Sequence, residues 1–119
     1  MNKQEVFNRV YKHMLTQKAR SLHSPHDTAC AYRGRGGTMC AVGCLIDDDH
    51  FSDAWNTSAV DDPDVLSALG ASLGSSVLPA DLPLLMDLQQ IHDIADPLDW
   101  LPALNALARI HELEIPNAP

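Results

Sequence analysis

A chain of 119 residues, 45% of them hydrophobic, is long enough for one domain that buries roughly two-thirds of its unfolded surface without metal or disulfide staples. No apolar run approaches the ~18–20 residues of a membrane span, and no basic segment leads into an apolar one as in a secretory signal. Three cysteines, an odd number, argue against a closed disulfide framework and for a reducing cytoplasm.

The net charge of −8 is unevenly laid out. Residues 1–35 carry Lys3, Arg9, Lys12, Lys18, Arg20, Arg33 and Arg35 against Glu5 and Asp27, a balance of +5. Residues 36–119 carry Arg109 against fourteen acids, a balance of −13. Either the two halves dock on each other or each faces a different partner. An acidic half displayed outward suits a basic protein surface, and its charge opposes direct binding of DNA or RNA.

In chain order, Asn2 with Glu5 three residues on reads as a capping box. Val6, Phe7, Val10, Tyr11 and Met14 then share one helical face, which predicts a helix over 3–18. Residues 18–28, with Pro25, His23 and His26, form a polar loop. Residues 29–33 can be a strand, and Gly34, Gly36 and Gly37 around Arg35 supply a tight reversal. The segment 38–46 alternates like a strand yet also places Cys40 and Cys44 on one helical face. The expectation is a β-hairpin ending near Met39 and a short helix from Cys40. Asp47, Asp48, Asp49 and His50 open an acidic loop or single turn bearing Phe51 and Trp55.

Asp62-Pro63 starts a helix over 63–73, with Val65, Leu66, Leu69 and Leu73 inward. Asp81 caps the next, over 82–95, whose stripe is Leu84, Leu85, Leu88, Ile91 and Ala95. Asp96-Pro97-Leu98-Asp99 starts the last, running to about 113 and burying Trp100, Leu101, Leu104, Leu107 and Ala108. The predicted fold is therefore α+β, mostly helical with four to five helices and one small hairpin, in a single domain over 1–119.

The block Cys30-Ala-Tyr32-Arg33, followed by Gly37-Thr-Met-Cys40-Ala-Val-Gly-Cys44-Leu-Ile46, resembles a group of short bacterial and phage proteins that pair such a segment with a later Leu-Gln-x-x-His-Asp. Here the later motif is Leu88-Gln89-Gln90-Ile91-His92-Asp93, followed by Trp100 in the final helix. The resemblance implies a shared fold and a phage or mobile-element setting, with no catalytic activity attached. The chain departs from the group at Asp47-Asp48-Asp49-His50-Phe51, where similar proteins have Pro-Asp and later Tyr.

Five chemistries are open to these residues. Cys30, Cys40 and Cys44 with His50, or with His92 or a loop histidine, could hold zinc in a tetrahedral set, although the spacing matches no common zinc motif. Against this stands the packing of three small buried cysteines. Cys40 or Cys44 could be a nucleophile with His92 as base, His92 falling within its helix's apolar stripe and Asp93 about 100° away from it. A core histidine satisfied by the backbone is the alternative, and it applies equally to His111. The adjacent His92-Asp93 is also similar to one element of helical metal phosphohydrolases, with His50 and Asp96 or Asp99 available by type alone.

Arg33 and Arg35 with their glycines could cradle an anion or a partner's carboxylate, or form an exposed turn. Asp47, Asp48, Asp49 and Asp53 could attract calcium, but they lack the glycine and terminal glutamate of an EF-hand loop. The leading expectation is a small acidic cytoplasmic binding or regulatory protein without a cofactor. It would block or modulate a host protein through Arg33, Arg35, Asp47, Asp48, Asp49 and Asp53. The rivals are a small cysteine- or metal-dependent enzyme and a zinc-stabilised structural domain.

Overall fold

The computed structural model describes residues 1–24 and 29–119. Pro25 and His26 of the expected polar loop lie outside the described residues. Among the described residues four α-helices carry the fold: α1 (Lys3–Gln17), α2 (Pro63–Leu73), α3 (Leu82–Ile94) and α4 (Trp100–Ile110), joined by short 3-10 turns.

Helix starts follow the capping chemistry. The Asn2 side chain accepts the Glu5 N–H at 3.0 Å and begins α1, which ends where Lys18 turns left-handed at φ 56°. The Asp62 carboxylate accepts the Asp64 N–H at 2.8 Å and Pro63 takes the first helical position of α2, which closes on Gly74 at φ 73°.

The last two helices depart from expectation in a matching way. Asp81 does not cap α3; its carboxylate accepts the Leu78 N–H at 2.8 Å, within a 3-10 turn Pro79–Asp81. Asp96 likewise caps a 3-10 turn, Pro97–Asp99, and α4 proper begins at Trp100. Each turn lies just upstream of a proline, Pro83 and Pro102. A proline cannot give an N–H to the carbonyl four residues back, so the preceding turn tightens to the three-residue spacing. Glu112, at φ 56°, stops α4 before the expected end at 113.

The β-hairpin expected across 29–39 does not form: the described residues contain no strand, only isolated antiparallel bridges Leu22–Cys30 and Arg33–Met39. The fold is all-α rather than α+β. The reason lies in where the backbone donors go. The Ala31 N–H goes to Ser21 O at 2.9 Å, the Tyr32 N–H to Asn56 O at 3.0 Å, and the Arg33 N–H to Asn56 Oδ1 at 2.9 Å. Asn56 also donates its amide to Arg33 O at 3.0 Å. With its edge satisfied by distant side chains and loops, the segment leaves little ladder for a return strand.

Past Met39 the chain makes one tight turn, with 3-10 geometry at Gly43–Leu45, in place of the expected short helix from Cys40. Here the main chain crosses Tyr32 so closely that a Cβ on Gly43 would sit 2.4 Å from Tyr32 O. Only glycine permits that approach.

This irregular segment is the floor on which the helices sit. Tyr32, Cys40, Ala41, Val42, Leu45 and Ile46 join Val6, Phe7, Val10, Tyr11 and Met14 of α1 in one buried cluster. The cluster continues through Val65 and Leu69 of α2, Leu84, Leu85 and Leu88 of α3, and Trp100, Leu104, Leu107 and Ala108 of α4. Leu101, expected inside, is exposed, because it lies about 100° around α4 from Trp100. Among the described residues no helix is long and apolar enough to cross a membrane.

Candidate functional site

The groups with chemical potential gather where α3 meets the irregular segment. His92 is fully buried and stacks on Trp100, the ring centroids 5.4 Å apart. The imidazole sits between two fixed partners. Its Nε2 accepts the Ser21 N–H at 3.1 Å, so that nitrogen carries the lone pair. Its Nδ1 must then hold the proton, which it donates to Asp93 Oδ1 at 2.8 Å.

The wheel position that set Asp93 apart from His92 did not reckon with the aspartate side chain turning back onto the ring. Asp93 is the hub of the cluster. Its Oδ1 also accepts from Gln89 Nε2 at 2.8 Å, and Cys30 hydrogen-bonds to its side chain. Gln89 in turn accepts the Val42 N–H at 3.0 Å, tying the hub to the cysteine turn.

Cys30, half-buried, opens onto a groove of about 680 Å³ whose walls include Tyr32, Cys40, Met86, Gln90 and Asp93. The sequence reading paired His92 with Cys40 or Cys44. The structure instead places Cys30 beside it, with one ligand atom each from Cys30, His92 and Asp93 all within 4.8 Å of one another. The adjacent His-Asp pair was the only mark of this trio in the sequence. That Cys30 would complete it depends on a contact across sixty residues.

The trio contains the residue types of a thiol catalytic site but not its wiring. A general base needs a free lone pair facing the nucleophile. Here that lone pair is spent on the Ser21 amide. The thiol is not activated either: burial, then the negative charge of Asp93 and the hydrogen bond to it, push Cys30 from 9.0 up to about 12. Burial raises Cys44 to about 12, against the pull of Arg9 and Arg33, and raises Cys40, fully buried, further still. At neutral pH all three thiols are protonated and poor nucleophiles.

Metal binding meets a similar obstacle. An ion on His92 Nδ1 would strip the ring of its only proton while Nε2 still faced an N–H donor, leaving a costly imidazolate. The zinc set Cys30, Cys40, Cys44 and His50 does not converge; among the described residues only the Cys30, His92 and Asp93 trio brings three ligand atoms together. His50 is exposed on the 3-10 turn Asp48–His50, away from any such group. Cys40 Sγ accepts the Gly43 N–H at 3.2 Å and the Cys44 thiol donates to Ala41 O at 3.1 Å. Both sulfurs thus serve the turn that contains them. His111 has Nε2 2.9 Å from Asp87 Oδ2 and joins α4 to α3.

The two arginines of the glycine turn have separate fates. Arg33 folds inward over Phe51 and donates to Gly43 O at 2.6 Å, Ile46 O at 2.5 Å and Asp48 Oδ1 at 3.1 Å. It clamps the cysteine turn and is committed to that role. Arg35 is exposed. Asp47, Asp48, Asp49 and Asp53 are all exposed, as are Asp61 and Asp64 beyond them.

Ion pairing joins the basic and acidic halves only sparsely among the described residues. Among the described residues Arg33–Asp48 is the one lysine- or arginine-to-carboxylate pair. Arg9 donates to Cys44 O at 3.4 Å and Arg20 to Ala95 O at 2.7 Å, so arginines serve carbonyls instead. Comparison with protein-family models, with curated proteins and with solved structures found no match to this chain.

Proposed function

We propose that the chain is a non-enzymatic cytoplasmic binding protein whose acidic face holds a basic protein partner. The observation that carries this reading is the display of charge without internal compensation. Seven aspartates fall within residues 47–64, six of them exposed, and Arg33 alone pairs with one of them through a lysine or arginine side chain among the described residues. Such a face lowers its own free energy when a cationic surface neutralises it, and it steers that surface in from a distance.

Two further features support a protein as the partner. Ile94, Leu98 and Ile110 are each at least 70% exposed around the α3–α4 junction, so a docking chain has apolar surface to bury. The engaged nitrogens of His92 and the raised thiol of Cys30 speak against thiol catalysis at this trio. Three free cysteines suit a reducing compartment. The resemblance of the 30–46 block to short phage and bacterial proteins supports a host protein as the target, blocked or modulated by occupancy.

The test is capture of a partner from lysate followed by titration of the purified pair. Affinity should fall steeply as salt rises, and an Asp47→Asn/Asp49→Asn/Asp53→Asn variant should bind about tenfold or more weakly. A partner that binds with salt-independent affinity, or equally well to the triple variant, would sink the acidic-face reading.

A further inference from the structure

On another surface the charge is reversed. The exposed side of α1 and the glycine turn enclose an open groove of about 720 Å³, lined by Arg9, Lys12 and Thr16 on one wall and by Gly36, Gly37 and Thr38 on the other. Among the described residues no carboxylate lines it, in a chain of net charge −8.

The groove is held open by its floor. His13 Nε2 donates to Met39 O at 2.8 Å, and Gln17 grips Met39 from both sides, accepting its N–H at 2.9 Å and donating to its carbonyl at 2.9 Å. The turn is thereby fixed against the helix without using the groups at the rim. Gly36 and Gly37 adopt φ +66° and +76°, with open space around both. Gly37 closes the 3-10 turn Arg35–Gly37, while among the described residues the Gly36 N–H and the Lys12 ammonium find no hydrogen-bond partner. Consecutive amides in such a turn, beside fixed cations, are the elements of an anion-binding concavity.

We infer that this groove binds the phosphate group of a small molecule, with Lys12 and Arg9, which line it, as counter-charges and the amides of the Gly36–Gly37 turn as hydrogen-bond donors. The chain's net negative charge does not forbid this. At physiological salt the field of exposed charges decays over about 8 Å, so the nearest groups decide. Arg33 plays no part, its guanidinium being spent on Gly43 and Ile46. The site is independent of the acidic face and stands or falls separately from it.

Amide-resolved NMR on the full chain tests the assignment, with inorganic phosphate and a nucleoside monophosphate titrated separately at constant ionic strength and sodium chloride as control. Saturable shifts of the Gly36 and Gly37 amides with either phosphate are expected. Tighter binding of the nucleotide would place the site in use on phosphomonoesters, and equal binding on free phosphate. A Lys12→Ala variant should weaken saturation about tenfold or more. The Lys12 side chain is exposed and unpaired among the described residues, so the remaining amides should stay in place and report an intact fold. Shifts that never saturate, that chloride reproduces, or that persist unchanged in the Lys12→Ala variant would overturn the inference.

Discussion

The helical half of the chain, residues 63–110, and the irregular stretch, residues 29–56, are ordered by different forces. Helices α2, α3 and α4 close their own backbone bonds and need the core only to bury one stripe each. The irregular stretch has no such repeat. Its backbone is tied by a handful of side chains from elsewhere: Asn56 to Arg33, Gln17 to Met39, Gln89 to Val42, and Arg33 to Gly43 and Ile46. One half is secured by area, the other by buried side chains together with individual polar bonds. Substitutions should therefore spread through the first and stay local in the second.

The largest effect expected is in the helical half. Leu104→Ala removes a fully buried side chain at the centre of α4 and should cost about 2–5 kcal/mol in urea unfolding. Amide-exchange protection should fall across all four helices together. Loss confined to α4 would show that the helices are not one cooperative unit. In the irregular half, Arg33→Ala removes three charge-assisted bonds and should cost about 2 kcal/mol. Here protection should drop first at Ile46 and its neighbours, ahead of α4. Arg35→Ala, two residues away but exposed, should lie within about 0.5 kcal/mol of the parent. Equal effects of the two arginine variants would refute the division of labour between them.

The smallest effect concerns pH. Cys30 and Cys44 are raised from 9.0 to about 12 by burial, so the unfolded chain loses these protons first as pH climbs. Their contribution to stability is intact below 9 and declines between 9 and 12. His13 works at the other end: burial lowers it from 6.5, so the unfolded state takes up the proton first and stability should slip as pH falls below 6.5. Urea midpoints across pH 5 to 10 should show a shallow loss at both ends. Cys30→Ala should flatten the alkaline side, and an unchanged alkaline slope in that variant would contradict the raised thiol.

The same contrast explains what could be read from the residues alone. Helix positions were legible because their signals are local: Asn2 before Glu5, Asp62 before Pro63, Gly74 after Leu73. The 3-10 turns ahead of Pro83 and Pro102 were the one local feature left out. The hairpin failed because its fate rested on Asn56 and Ser21, whose claims on the 31–33 backbone leave no trace in its periodicity. The candidate site split in the same way. The inward position of His92 followed from its helix face. Its pairing with Cys30, the return of Asp93 and the Ser21 amide on Nε2 did not, since each depends on tertiary placement or on a rotamer.

Gly43 has a practical implication for anyone redesigning this chain. Because its main chain lies against Tyr32, the stretches on either side of the glycine loop are effectively welded together. The loop tip at Gly36–Gly37, by contrast, has room on every side. A peptide tag or fluorophore attachment spliced in at that tip should leave the weld intact, whereas a methyl group added at position 43 should pry it open.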